Sequence, residues 1–267
     1  MSSIRKAGNC GTFYPCDIKE LDSLIDIFNK ALSVAPEAQE NLKIVPRAII
    51  SPHAGYIYSG FSANYAHRVL ANAKSKRVVV IGPSHHVYFE GVSASRFEFY
   101  ETPYRNLEID LEYLNIMSKV FNLKFVKEAH YLEHSTETQM PFIAKYQPNV
   151  KVIELIYGKV DYNEVAKIIK WLLEDKLTSV VISTDLSHFH DLQKAQMLDS
   201  ICLEGIAKLD INILDIGCEA CGIIGVKGII KAARELGLKS KILDYRTSAD
   251  VTKDTSNVVG YASAVFY

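Results

Sequence analysis

Short apolar runs that stop abruptly on turn residues constrain this chain more than anything else in it. Ala48-Ile49-Ile50 stops at Ser51-Pro52, and Val78 to Ile81 stops at Gly82-Pro83. Val152 to Ile156 stops at Tyr157-Gly158, and Val180-Val181-Ile182 stops at Ser183-Thr184-Asp185. Short β-branched runs with turn residues after them read as strands buried on both faces, the pattern of a parallel sheet. Between them, Leu21 to Leu32, Tyr162 to Leu173, Leu192 to Leu209 and Gly222 to Leu236 read as amphipathic helices. Two late strands, Lys241 to Tyr245 and Val258 to Phe266, close the chain; Gly260 inside the second marks a bulge or a close approach. Alternating strands and helices imply an α/β fold, a three-layer sandwich around a central, largely parallel sheet. There is no internal repeat, low-complexity tract or linker-like stretch, so residues 1–267 are expected to form one domain.

Composition serves mainly to exclude. The net charge is −1 and the sequence pI about 6.7, which gives no reason to expect nucleic acid as a partner. The one basic cluster, Lys74-Ser75-Lys76-Arg77, reads as a helix end leading into a strand. No window approaches the ~18 apolar residues that cross a bilayer, so no membrane association is expected. Met1 to Thr12 carries no apolar segment of a secretory signal. Five Cys is an odd number, which argues against a secreted disulfide framework and for a reducing, cytoplasmic location. There a Cys is core filler, a metal ligand or a reactive thiol.

The histidines are distributed unevenly. In open α/β sheets, ligands bind beyond the carboxyl ends of the strands. Five of the eight His follow such ends: His53, His85, His86, His188 and His190. His130 and His134 fall on a polar stretch read as a loop, His130 to Glu137, and His67 alone lies on a predicted helix. One strand-end His is an ordinary hydrogen-bonded residue, but five at equivalent positions point to a shared site. Neutral imidazole is the commonest protein metal ligand, and two His from adjacent strand ends can reach one ion. Cys221 is a candidate third ligand, because the N-terminal dipole of the helix after it would favour thiolate. It reads also as a small buried hydrophobe, and on the residues alone that reading comes first. Cys218 and Cys221 form a C-x-x-C pair, but the other Cys are too scattered for a zinc ribbon and the position is too late for a thioredoxin-like motif. Asp185 and His188, three apart, suit a general base and the group that orients it; Asp185 or Ser187 could instead cap the next segment. Glu137 could support a site residue or cap a helix.

Six segments, in order, carry a resemblance. They are Arg5-Lys6-Ala7-Gly8 with Gly11-Thr12-Phe13-Tyr14-Pro15, then Pro52 to Gly60, Gly82 to His86, Glu133 to Glu137, Ser183 to His188, and Ala220-Cys221-Gly222. Over nearly the whole chain this set resembles the Memo family, called AmmeMemoRadiSam system protein B in microbes. The family is similar in fold to class III extradiol dioxygenases, which hold Fe(II) with two His and one carboxylate. The resemblance implies His53, His85 and Cys221 as metal ligands, with Cys where the carboxylate would be. It implies Asp185 and His188 in the same pocket, His188 near the role of the dioxygenase base, and His134 as a further pocket residue. Where the family often has a basic residue and His after the Cys-Gly pair, this chain has Ile223-Ile224, which speaks against an extra ligand or charge there.

A thiolate is softer than a carboxylate and favours copper(I), zinc or electron-rich iron. The resemblance therefore implies a redox-active mononuclear iron or copper site, zinc being possible, acting on an unidentified small-molecule substrate. A second implied function is a non-catalytic adaptor that takes a peptide in the same pocket, although no Arg cluster of the phosphate-reading type is visible. A third is a ring-cleaving dioxygenase, against which the missing carboxylate counts. AMMECR1-like and radical SAM proteins are expected partners by family association.

Overall fold

The computed structural model describes residues 3–267. All four expected central strands form: Ala48–Ser51, Arg77–Pro83, Lys151–Tyr157 and Thr178–Ser183. They lie side by side and parallel, with Thr178–Ser183 between Ala48–Ser51 and Arg77–Pro83, and Lys151–Tyr157 outside the latter. Successive residues along each strand enter different cores. Ile50, Val79, Ile81, Ile153, Val180 and Ile182 pack on one side. Ile49, Val78, Val80, Val152 and Val181 pack on the other. A strand buried on both faces has no polar side to show, which is why its sequence lacks the two-residue alternation.

Helices cover both faces. Tyr162–Glu174 and Ile223–Leu236 pack on the first through Val165, Ile169, Val226 and Ile229, and Tyr56–Leu70 packs on the second through Tyr65, Ala66 and Val69. Asp17, Asp161 and Asp191 accept hydrogen bonds from backbone N–H groups at the starts of Ile18–Ser33, Tyr162–Glu174 and Leu192–Lys208. The strands that flank the four central ones run antiparallel to them. Val258–Phe266 runs antiparallel to Ala48–Ser51 and to Ser240–Thr247, and Val92–Ala94 runs antiparallel to Lys151–Tyr157. Gly260 is a close approach: a Cβ there would stand 2.0 Å from Asp199 Oδ2.

Two expectations need correction. The stretch from His130 to Glu137 is not a loop at the surface. It forms the short helices Lys127–Tyr131 and His134–Glu137, and His130, Glu133, Ser135, Thr136 and Glu137 are fully buried. His67 does lie on a helix, Tyr56–Leu70, as expected, and is a core residue there, stacked on Phe142 and 2.8 Å from Gln139 Oε1 through Nε2. Four of the five Cys are paired, Cys10 with Cys16 and Cys202 with Cys218, leaving Cys221 as the free thiol. An odd count is compatible with two bridges, and Cys218 pairs with a residue on the Leu192–Lys208 helix instead of with its C-x-x-C neighbour.

The polar stretch is buried because its charges are matched from elsewhere in the chain. The fully buried Arg5 guanidinium pairs with Glu137, and its Nη2 donates to the Glu133 carbonyl oxygen at 2.9 Å. Glu137 also accepts from the Asn9 N–H at 2.7 Å and the Tyr14 hydroxyl at 2.8 Å. Arg5 Nε lies 4.0 Å from Glu154. That carboxylate accepts from Tyr100 and Thr136 and lies 2.7 Å from His130 Nδ1. Buried charges survive only when paired and hydrogen-bonded, and removing one partner strands the rest. Arg5→Met should therefore lower unfolding free energy by about 3–5 kcal/mol. Lys6→Met removes an exposed pair with Glu101 and should cost under about 1 kcal/mol. Denaturant midpoints of the two variants check the contrast.

Candidate metal centre

The ends of three neighbouring strands deliver the site. His53 stands two residues beyond Ser51, Asp185 two beyond Ser183 and His85 two beyond Pro83, so Asp185 comes from the strand between the two histidines. Cys221 comes from outside the sheet, just before the Ile223–Leu236 helix. Its backbone N–H donates to the Asp185 carbonyl at 3.3 Å, and the Gly222 N–H donates to Thr184 Oγ1 at 2.8 Å. The helix can approach this closely only because residue 222 is glycine. A Cβ there would lie 2.6 Å from Thr184 Cβ and 2.8 Å from the Ser183 carbonyl oxygen.

These connections bring one donor atom from each of His53, His85 and Cys221 within 4.8 Å of one another. Cys221 Sγ lies 3.3 Å from His53 Nε2. Both imidazoles are oriented from behind. Ser183 gives its hydroxyl proton to the Ser135 carbonyl and accepts from Gln139 Nε2. Its remaining acceptor position faces His53 Nδ1 at 3.0 Å, so His53 carries its proton on Nδ1 and turns a bare Nε2 toward Cys221. His85 Nδ1 lies 2.8 Å from Glu133 Oε1, and the His85 backbone N–H donates to Glu133 Oε2 at 2.6 Å. A carboxylate behind an imidazole fixes its tautomer and raises its basicity, and here it leaves Nε2 free.

The other expected residues divide. Asp185 joins the cluster: Oδ1 accepts the His53 backbone N–H at 2.8 Å, and Oδ2 stands 3.9 Å from His53 Nε2. His134 also joins it, its ring 4.5 Å from that of His85 and 5.3 Å from that of His53, and stacked on Phe13 at 4.7 Å. His188 is half-buried at the margin, where its charge would act on both His53 and Asp185. The next residue, Phe189, is exposed and has φ +63°, a left-handed conformation unusual for an aromatic residue. His190 turns away to Glu219 at 2.7 Å, and His130 belongs to the Arg5 network. Glu137 serves that network too. Glu133, four residues earlier, is the carboxylate that supports the site, an assignment that two acidic residues flanking His134 in sequence could not reveal. Ser183 and Gln139 were likewise not singled out, since nothing local distinguishes them from core polar residues.

Burial sets the charge states. It pushes His53 down to about 3, with help from the nearby His85 charge, and His134 down to about 4, with help from His53 and His85. Both are neutral imidazoles at pH 7, as ligation requires. Burial opposes ionisation of Glu133, but the His85 hydrogen bond and charge and the backbone N–H groups of His85 and Ser135 outweigh it and bring the carboxyl to about 2. Asp185 is raised by burial. Cys221 corrects the expectation of a helix-stabilised thiolate. Burial, then the Asp185 charge, push the thiol up to about 12 against the N–H groups of Asp185 and Gly222.

The tight seat of Gly222 is testable by stability. Gly222→Ala should cost about 1–3 kcal/mol through overpacking against backbone and Thr184. A Cβ on Gly217 would meet nothing nearer than 3.4 Å, so Gly217→Ala should cost under about 1 kcal/mol. Gly222→Ala should also make the displaced Cys221 react faster with an aromatic disulfide reagent, followed by absorbance.

The comparisons with known proteins address the whole chain. The profile of the family described as "Memo-like protein" matches residues 5–265. A MEMO1 family protein of Aquifex aeolicus is 32% identical over 98% of this chain and 99% of its own length. MEMO1 family proteins of Methanococcus maripaludis and Archaeoglobus fulgidus are 31% and 29% identical, covering 95% and 96% of this chain and 96% and 97% of their own lengths. Similarity on this scale, end to end, shows that the chain belongs to the Memo family.

Proposed function

We propose that His53, His85 and Cys221 hold one redox-active iron or copper ion, and that the protein is a metal-dependent oxidoreductase acting on a small-molecule substrate. The observation that carries this reading is the convergence of two bare imidazole Nε2 atoms and one thiol, each histidine braced through its other nitrogen. The donor set fits a soft or borderline transition metal. Zinc fits the same donors but would supply no redox step.

The thiol supports the reading energetically. A buried thiolate without a counter-charge is costly, so Cys221 keeps its proton until a cation displaces it. A bound iron or copper would supply one-electron chemistry. The chain's own residues do the rest. Glu133 and Ser183 hold the two imidazoles in one tautomer, and Phe13 packs against His134 over the cluster. Asp185, raised by burial and beside His53, can hold a proton at the pocket; His188 at the margin can accept one from a substrate, with His134 as a neutral hydrogen-bonding partner.

The likeness in fold to class III extradiol dioxygenases belongs to the same proposal. A ring-cleaving activity draws some support from Asp185, whose Oδ2 brings a carboxylate to 3.9 Å from His53 Nε2. The other oxygen of that carboxylate is committed to the His53 backbone, so we rank this reading second. The peptide-adaptor reading ranks third: Arg5, whose guanidinium donates to the Glu133 carbonyl, is fully buried and spent on Glu137, and offers nothing to a phosphate. Association with AMMECR1-like and radical SAM proteins is carried as a family proposal. A cytoplasmic location would require two disulfides to persist against a thiol pool, as they do in intracellular proteins of hyperthermophiles. No helix among the described residues is long and apolar enough to cross a membrane.

The test is metal content. Protein reconstituted with ferrous or cuprous ion should take up about one equivalent and release about one proton at pH 7, that of Cys221. Metal competes with the thiol proton below about 12, so the contribution of Cys221 weakens binding about tenfold for each pH unit lowered. Cys221→Ser should abolish the proton release and cut retained metal at least about tenfold, whereas His190→Ala, outside the cluster, should change neither. Uptake below about a tenth of an equivalent, for every transition metal tried, would sink the proposal.

A further inference from the structure

His67 is a buried imidazole that neither the donor cluster nor the Arg5 network uses. It stands on the Tyr56–Leu70 helix, fully buried, its ring stacked on Phe142 with centroids 5.2 Å apart. Burial pushes its pKa down to about 4, so at pH 7 the ring is neutral and carries a single proton. Its neighbours fix which nitrogen holds that proton. Gln139 Nε2 lies 2.9 Å from the Pro52 carbonyl oxygen. A carbonyl oxygen only accepts, so this end of the amide is its NH2 group. The other end, Oε1, also only accepts, and it faces His67 Nε2 at 2.8 Å. The proton therefore sits on Nε2 and is donated to Gln139. Nδ1 is left bare, buried and without a hydrogen-bond partner.

An orphaned nitrogen in a dry core is unfavourable. A phenylalanine could stack on Phe142 without that cost, so what the imidazole adds here is its Nε2–H. The amide that receives this proton has two acceptors of its own, and both belong to His53. One is the carbonyl of Pro52, in the peptide bond that enters His53. The other is Ser183 Oγ, at 2.9 Å, the atom that accepts from His53 Nδ1 at 3.0 Å. A single NH2 group thus grips His53 by its main chain and by its ring. Ser183 and Gln139 are fully buried, so no water substitutes for these links. His85 is held differently, its Nδ1 ending directly on Glu133.

We propose that His67 is a positioning residue of the metal centre: its Nε2–H fixes the Gln139 amide, and the amide fixes the backbone and ring of His53, keeping Nε2 of His53 aimed at the space it shares with His85 and Cys221. The inference rests on the metal reading above. His67 itself touches neither the donor atoms nor the pocket. Without its N–H, Gln139 Oε1 becomes a buried, unmet acceptor. The amide then turns to find a donor and withdraws Nε2 from Pro52 and Ser183. His53 loosens, whereas His85 does not.

Wild-type protein without metal gives the first check. Long-range proton–nitrogen spectra of isotopically labelled histidine should show His67 protonated on Nε2 and His53 on Nδ1. Either proton on the opposite nitrogen overturns the inference. The second check uses cobalt(II)-loaded protein, in which the exchangeable imidazole N–H of each metal-bound histidine gives its own strongly shifted proton signal. His67→Phe, which keeps the aromatic stack, should displace or lose the His53 signal and leave that of His85 in place. It should weaken cobalt binding about tenfold, the lower end of the loss for a partner behind a ligand. Gln139→Leu should do the same. The double variant should bind no more weakly than Gln139→Leu alone, because His67 acts through that amide. Losses that add in the double variant overturn the inference, as does His67→Phe affinity within about twofold of wild type. Both signals moving together, with a lowered melting temperature, overturn it too and assign His67 a general structural role. If wild type takes up no cobalt, the metal reading and this inference fall together; cobalt bound with the His53 signal unmoved in His67→Phe removes this inference alone.

Discussion

A guanidinium with no water around it must be matched by the protein, and the burial of Arg5 organises much of this molecule. Its partners come from distant stretches: Glu137 and the Glu133 carbonyl from the 127–137 segment, and Glu154 from a central strand. Satisfying one cation therefore ties the N-terminal segment, the His134–Glu137 helix and the sheet into one unit. The tie matters to the site because Glu133 is used at both ends. Its carbonyl takes a proton of Arg5 while its carboxylate takes Nδ1 of His85. The same short segment carries His134 into the cluster.

The donor cluster inherits its rigidity from this arrangement. His53 and His85 leave strands buried on both faces, and each ring is fixed by a hydrogen bond to its Nδ1. Cys221 is placed by backbone contact between a helix start and a strand end, a contact that only glycine at position 222 permits. His53 kept neutral and Cys221 kept protonated by the same burial leave these two donors without charge of their own. Such a cluster is primed for a cation in a way that an exposed one is not, because the cation supplies the counter-charge that solvent cannot.

Legibility followed burial pattern. A doubly buried strand must be apolar along its whole length, so Ala48–Ser51, Arg77–Pro83, Lys151–Tyr157 and Thr178–Ser183 could be read directly, and with them the strand-end histidines. The His130–Glu137 stretch was misread because polar composition ordinarily means exposure, and the guanidinium that matches Glu137, that of Arg5, lies more than a hundred residues away in sequence. The expectation that Cys221 carries a thiolate failed for a related reason. A helix start favours thiolate at a surface, but burial outweighs a few N–H groups once water is gone.

By itself the sequence determined the α/β class, the buried strands, the gathering of histidines beyond their ends and membership of the Memo family, because each of these is written in local pattern or in motif order. Only the tertiary structure decided which residues meet. It separated His85 and His134 from His190 and His130, gave the supporting role to Glu133 and not to Glu137, and paired four of the cysteines. The reason is physical: a side chain's partner depends on strand order, register and face, and those emerge only when distant segments pack together.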